Sequence, residues 1–313
     1  MTGTEWTITA TVLAGLFGLL IGSFLNVCIY RWPRDLSVVR PRSCCPSCLA
    51  GLLEKAGIPL YSEDAEFEEA IDAGEFARFA PAAQIAWYDN IPVLSYLLLR
   101  GGCRRCGAAI GWRYPLVEAL TGVLFAWFVW HLGPTLAALK FCVFAALMVG
   151  LVFSDLETLL LPDEMTIGGF FLGLVFAVLA PRTGLFSGIL GLMGMATGLR
   201  AGSLVEALIG GLLPAGTIWL GGWLFEKIRG KEGLGFGDVK MLAAVGAFLG
   251  IQGALMTVIL GSVAGAVIGW IYIKVKGEDA GSYQLPFGTF LGAAALYSAL
   301  AGNGLLNWYA RGL

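Results

Sequence analysis

Apolar residues in this chain fall in long unbroken stretches, and polar residues gather in the segments between them. Stretches near 7–30, 116–132, 134–153, 160–180, 203–225, 234–250, 252–273 and 286–308 each read as a hydrophobic helix. About 20 consecutive apolar residues suffice for a helix to cross the roughly 30 Å hydrocarbon layer of a bilayer. Only a segment that satisfies its own backbone polar groups is stable there, which selects helices. The pattern therefore predicts an all-α polytopic membrane protein with about eight transmembrane helices. Two of the stretches, 116–132 and 234–250, are short for a full crossing. Segment 183–199 is apolar and glycine-rich but follows Pro181-Arg182. It reads as a re-entrant or interfacial piece.

Composition sharpens this picture. Apolar residues make up 58% of 313 and charged residues 13%, far from a soluble average. The 45 glycines suit closely packed membrane helices, where small residues let backbones approach. Net charge is −2, and no basic stretch is long enough to follow a phosphate backbone, so a nucleic-acid partner is not expected. The single histidine, His131, sits in an apolar run and reads as a helix-end residue. Residues 7–30 lack the positive charge that precedes a signal-peptide core: Glu5 comes before the run, and Arg31 and Arg34 follow it. The run reads as an uncleaved first helix with its N-terminus outside.

Charge also orients the chain. With the N-terminus outside, the inner loops are 31–115, 154–159, 226–236 and 274–285. Counting Lys240 beside the third loop, 16 of the 20 basic residues lie on or next to that face. Positive charge collects on the cytoplasmic side. The expected arrangement is a multi-pass membrane protein with both termini outside. Its parts are a first helix (1–30), a cytoplasmic loop (31–115) and a helical domain (116–313).

The loop carries Cys45-Pro46-Ser47-Cys48 and Cys103-Arg104-Arg105-Cys106. Two such pairs can supply the four thiolates of a closed tetrahedral zinc site. Cys44 could replace Cys45. Reduced spare thiols are the plainer alternative, and disulfides fit a cytoplasmic loop poorly. Cys28 and Cys142 lie in spans and read as packing residues. Between the pairs, 54–75 holds eight Asp/Glu against one lysine. This is either a solvated insertion or an attractor for a basic partner.

Two acids lie where spans meet the inner face. Asp238 stands in Gly235-Phe236-Gly237-Asp238-Val239-Lys240, and Asp155 in Phe153-Ser154-Asp155-Leu156-Glu157. Ionisable groups at membrane depth are costly and mark functional sites. Each can also be read as an ordinary charge at a helix end. Leu161-Pro162-Asp163 looks like a helix start, with Asp163 favourable at the positive end of the dipole. Gly233, Gly235 and Gly237 would let a peptide backbone approach Asp238. Two carboxylates that meet share a proton, one acting as base on water and the other as acid. A nucleophilic serine or cysteine has neither a Gly-x-Ser-x-Gly motif nor a nearby histidine in its favour.

These motifs occur in an order that resembles the bacterial type IV prepilin peptidases, over nearly the whole chain. Alongside the cysteine pairs and both aspartate motifs stand Gly22-Ser23-Phe24-Leu25-Asn26-Val27 and Asp89-Asn90-Ile91-Pro92. Ile110 through Glu118 and Gln284-Leu285-Pro286-Phe287-Gly288 complete the set. The resemblance implies an intramembrane-type aspartic peptidase with Asp155 and Asp238 as its catalytic pair. Its substrates would be prepilins and pseudopilins, cut at a basic leader. Gly235, Gly237, Lys240, Asp163 and Glu118 are supporting candidates. The resemblance also implies N-methylation of the new terminus from S-adenosylmethionine. A peptidase without that second activity, a proton-coupled transporter and a non-catalytic assembly scaffold are the rival readings. The 54 residues between Cys48 and Cys103 exceed the family's usual gap, and the acidic insertion accounts for the excess.

Overall fold

A computed structural model describes residues 3–40, 42–57, 78–185, 188–189, 198–230, 235–276 and 285–311, with side chains described as far as Ala301. Most of the acidic stretch 54–75 and of segment 183–199 lies outside the described residues. The described chain is helical, and its only β pairing is two isolated bridges, Cys44–Gln84 and Gly102–Ala109. The helices are α1 (Gly3–Arg31), α2 (Pro46–Lys55), α3 (Leu94–Leu98), α4 (Arg113–Leu132) and α5 (Leu136–Thr158). They continue with α6 (Asp163–Leu179), α7 (Leu199–Arg229), α8 (Phe236–Lys276) and α9 (Phe287–Arg311). The chain divides into two compact units, Met1–Trp127 and Phe128–Leu313.

In the first unit, α1 and the start of α4 approach at backbone distance. A Cβ on Gly22 would stand 2.6 Å from the Cα of Glu118, and one on Gly18 would stand 2.8 Å from that of Gly122. The polar segment between these helices has its own small core of Leu49, Leu53, Ala80 and Ala83. Arg31 at the end of α1 is buried, and it donates to the Ser37 carbonyl at 2.8 Å.

In the second unit, α8 packs against α6, α7 and α9. Glycine again sets the spacing: a Cβ on Gly246 would lie 1.9 Å from the Gly210 carbonyl oxygen. Helix α8 runs for 41 residues, about 60 Å at 1.5 Å per residue and twice a bilayer core. It breaks at Gly250, whose φ of 75° and ψ of −179° belong to a region open only to glycine. The break falls where the sequence separates spans 234–250 and 252–273.

Large apolar side chains remain exposed on the outer helix faces, including Phe17 at 55%, Val263 at 59% and Trp270 at 59%. A soluble protein would cover such a surface, and its extent here fits helices that face lipid. Among the described residues, five helices have the length and apolarity of a span: α1, α4, α5, α7 and α8. The expected count of eight is not reached by this measure, for three reasons. The two spans at 234–273 are one broken helix, α6 has only 17 residues, and the apolar part of α9 is the shorter stretch Phe287–Ala301.

Candidate active site

Helix α5 ends one turn beyond Asp155. Leu159 leaves the helix in the left-handed region, at φ 54°, and its N–H bonds the Asp155 carbonyl. The turn is tied by side chains: Ser154 donates to the Leu160 carbonyl at 2.8 Å, and Thr158 donates to the Ser154 carbonyl at 2.9 Å. Helix α6 then starts at Asp163, after Pro162, where an anion meets free N–H groups. Asp163 also forms an ion pair with Lys240 on α8. It therefore ties two helices together. Asp155, on the adjacent helix, is buried at 4% exposure.

Asp238 lies in the first turn of α8 and is half-buried. Helix α9 closes the site. Gly288 and Gly292 are four residues apart and so lie on one helix face. A Cβ on Gly292 would meet Val152 of α5 at 2.4 Å and Met241 of α8 at 2.9 Å, so α9 fits tightly between these two helices. One turn earlier, a Cβ on Gly288 would stand 3.1 Å from the carboxyl group of Asp155 and 3.1 Å from Oδ1 of Asp238. The two acids thus flank a single point, left open because residue 288 has no side chain. Gly235 borders Asp238, and Gly237 lets the Leu161 side chain approach.

Thr289 was not singled out from sequence. Its backbone N–H donates to Asp155 Oδ2 at 2.6 Å, and its hydroxyl donates to the same oxygen at 2.9 Å. It follows directly on the Pro286-Phe287-Gly288 motif, but a threonine in a first helical turn is common and gives no signal of its own. Glu118 belongs to the first unit, where it accepts the Val93 N–H at 2.7 Å.

The first unit brings the four cysteines of the two pairs together. All their Sγ atoms lie within 4.8 Å of one another, with Cys45–Cys106 at 3.7 Å and Cys48–Cys103 at 4.0 Å. A tetrahedral tetrathiolate with metal–sulfur bonds of about 2.3 Å places its sulfurs about 3.8 Å apart. The cluster can hold a metal ion. Cys44 stands apart from it, packed beside the Leu49–Leu53 core. Burial pushes the Cys45 and Cys48 thiols up. Burial opposes ionisation of Cys103 as well, but the backbone N–H groups of Cys106 and Arg105 prevail and bring it to about 7. Arg104, between the second pair of cysteines, grips Asp89 through two nitrogens at 2.6 to 3.0 Å. That grip holds the Asp89 carboxyl below its usual range.

The same unit contains a cavity of about 500 Å³, bordered by Asn26, Tyr30, Asp89, Tyr96, Tyr114 and Glu118 among others. Asn26 is 4% exposed. Its Nδ2 donates to the Tyr114 carbonyl at 3.1 Å, while its buried Oδ1 has no partner among the described residues. An orphaned buried acceptor costs about 1–3 kcal/mol unless a ligand or water supplies a donor.

Comparison with known proteins agrees with this architecture. Residues 16–63 and 80–132 match the Bacterial Peptidase A24 N-terminal domain, and residues 142–270 match the Type IV leader peptidase family. A prepilin leader peptidase/N-methyltransferase of Pseudomonas aeruginosa is 33% identical over 294 residues, covering 94% of this chain and 91% of the relative. One from Legionella pneumophila is 32% identical over 305 residues, covering 95% and 93%. One from Xanthomonas campestris is 34% identical over 299 residues, with the same shares. No solved structure matches the chain. With helical membrane architecture, ordered motifs and near-complete coverage all in agreement, the chain belongs to the Type IV leader peptidase family.

Proposed function

We propose that this protein removes the basic leader of type IV prepilins and pseudopilins, using Asp155 and Asp238 to activate water. The observation that carries the reading is the open point at Gly288, 3.1 Å from both carboxyl groups. Two acids facing one small space resist ionising together, so one is ionised while the other holds a proton. The ionised carboxylate takes a proton from water as the water oxygen bonds the scissile carbonyl carbon. The protonated carboxyl gives its proton to the carbonyl oxygen. The carbon–nitrogen bond then breaks, and the leaving nitrogen takes up the proton that came from water. The positive inner loops support placing this site at the cytoplasmic face of a bacterial inner membrane, with both termini outside.

The cysteine cluster is assigned a structural role. Cys45, Cys48, Cys103 and Cys106 would hold zinc, and a closed set of four thiolates would leave no position for a substrate.

The relatives' names also support N-methylation of the new terminus. S-adenosylmethionine supplies an electrophilic methyl group to the freed amine. The cavity of the first unit suits such a ligand. Its volume falls within the roughly 300–1,000 Å³ range of small-molecule sites. Asn26 Oδ1 would accept an N–H from the ligand, and the Glu118 carboxyl borders the same space.

The test is to incubate membranes containing the protein with a prepilin and S-adenosylmethionine and to weigh the product by mass spectrometry. Loss of the leader and gain of one methyl group are expected. A prepilin recovered uncut would overturn the reading, and a cut but unmethylated product would remove only its second half.

A further inference from the structure

The two acids have unequal surroundings. Asp155 Oδ2 accepts two donors, the N–H and the hydroxyl of Thr289, at 2.6 and 2.9 Å. Among the described residues, no donor is recorded for the Asp238 carboxyl. Two donors engage both lone pairs of that oxygen, so a proton on Oδ2 would displace one of them. Hydrogen bonds to the charged form of an acid favour that form. Among the described residues beside the pair on α5, α6 and α9, no positive charge offsets this asymmetry. Lys240, on the same helix as Asp238, is paired with Asp163 at the start of α6, and Phe287–Ala301 of α9 contains no charged residue. Glu157 and Glu164, on α5 and α6, are exposed and negative.

We propose that Thr289 is the positioning residue that divides the labour of the pair, holding Asp155 as the ionised base and leaving the shared proton on Asp238. The inference rests on the aspartate mechanism proposed above. It also specifies which oxygen reacts. With Oδ2 engaged, Asp155 receives the proton of water on Oδ1, while Asp238 protonates the scissile carbonyl. The Thr289 hydroxyl lies 3.3 Å from the Val152 carbonyl as well, an alternative acceptor once Asp155 is neutral. In the second step the Oδ1 proton passes to the leaving nitrogen, and Asp238 recovers its proton from the hydroxyl it formed. The carbon–nitrogen bond is broken, one water is consumed, and both acids return to their starting states.

The test compares pH–rate profiles of wild type, Thr289→Val, Thr289→Ala and Thr289→Ser on a prepilin in membranes. Removing the hydroxyl takes one donor from the charged form, so a higher pH is needed to ionise Asp155. Val and Ala should move the acid limb of kcat to higher pH. Losing a bond to a charged group should lower kcat by about tenfold. KM should hold, and Ser should restore the wild-type limb. A wild-type profile in both Val and Ala, or a Ser variant that behaves like them, would overturn the assignment. Asp155→Asn in the same assay separates the levels. If that variant still cleaves, the aspartate mechanism fails and this inference fails with it. If it is inactive while Val and Ala keep the wild-type profile, only the role of Thr289 is lost.

Discussion

Gly288 has the most consequential surroundings of any residue in the second unit, because its missing side chain leaves the space between two carboxyl groups. An alanine methyl there would sit 3.1 Å from atoms of both acids, tighter than ordinary packing allows. Overpacking of this kind typically costs about 1–3 kcal/mol. A displacement of about 1 Å in a catalytic group can cost about 100-fold in rate. Gly288→Ala should therefore accumulate in membranes at close to normal levels but cleave about 100-fold more slowly, measured as initial rate per unit of protein. Wild-type rates would mean that the space between the acids is not where water reacts. At this scale the sequence exposed the acids and hid their partner. An aspartate at the end of an apolar run is conspicuous because its solvation is expensive. A threonine hydroxyl in a first helical turn is cheap, and only its distances reveal it.

Helix boundaries follow from local chemistry that sequence displays well. Leu161-Pro162-Asp163 signals the start of α6, and α6 begins there. Gly250 separates two stretches of α8 that hydropathy also separates. The number of spans was harder to read, because a hydropathy window reports apolarity but neither a break nor the true helix length. Packing between elements was legible only as an abundance of glycine; which glycines touch depends on three-dimensional register. Gly246 is the sharpest case. A Cβ there would lie 1.9 Å from the Gly210 carbonyl oxygen, whereas one on Gly216 of the same α7 meets nothing within 4 Å. Gly246→Ala should push α7 and α8 apart and lower the thermal midpoint of the detergent-solubilised protein, and Gly216→Ala should leave it within error. Equal midpoints for the two variants would show that the α7–α8 approach tolerates an added methyl.

On the scale of the whole molecule, the chain combines a cysteine-bearing unit and a helical unit that carries the two acids. Sequence brought out both, since Cys-x-x-Cys pairs and acids at the ends of apolar runs are conspicuous patterns. Its division of the chain placed Glu118 in the helical stretch 116–313. The structure puts that acid in the first unit, bonded to Val93 and beside the cavity of Asn26. Nor could spacing reveal the orphaned Asn26 oxygen, since burial without a partner is a property of the folded chain. The proposed division is cleavage by the second unit and methyl-donor binding by the first.

The most direct test of this account is prepilin cleavage in membranes by wild type, Asp155→Asn and Asp238→Asn, with each protein quantified by blot. Asparagine keeps the shape of the side chain and removes its proton chemistry. The account predicts that wild type cleaves and that both variants are inactive at normal abundance. Near-wild-type cleavage by either variant would contradict the proposed pair.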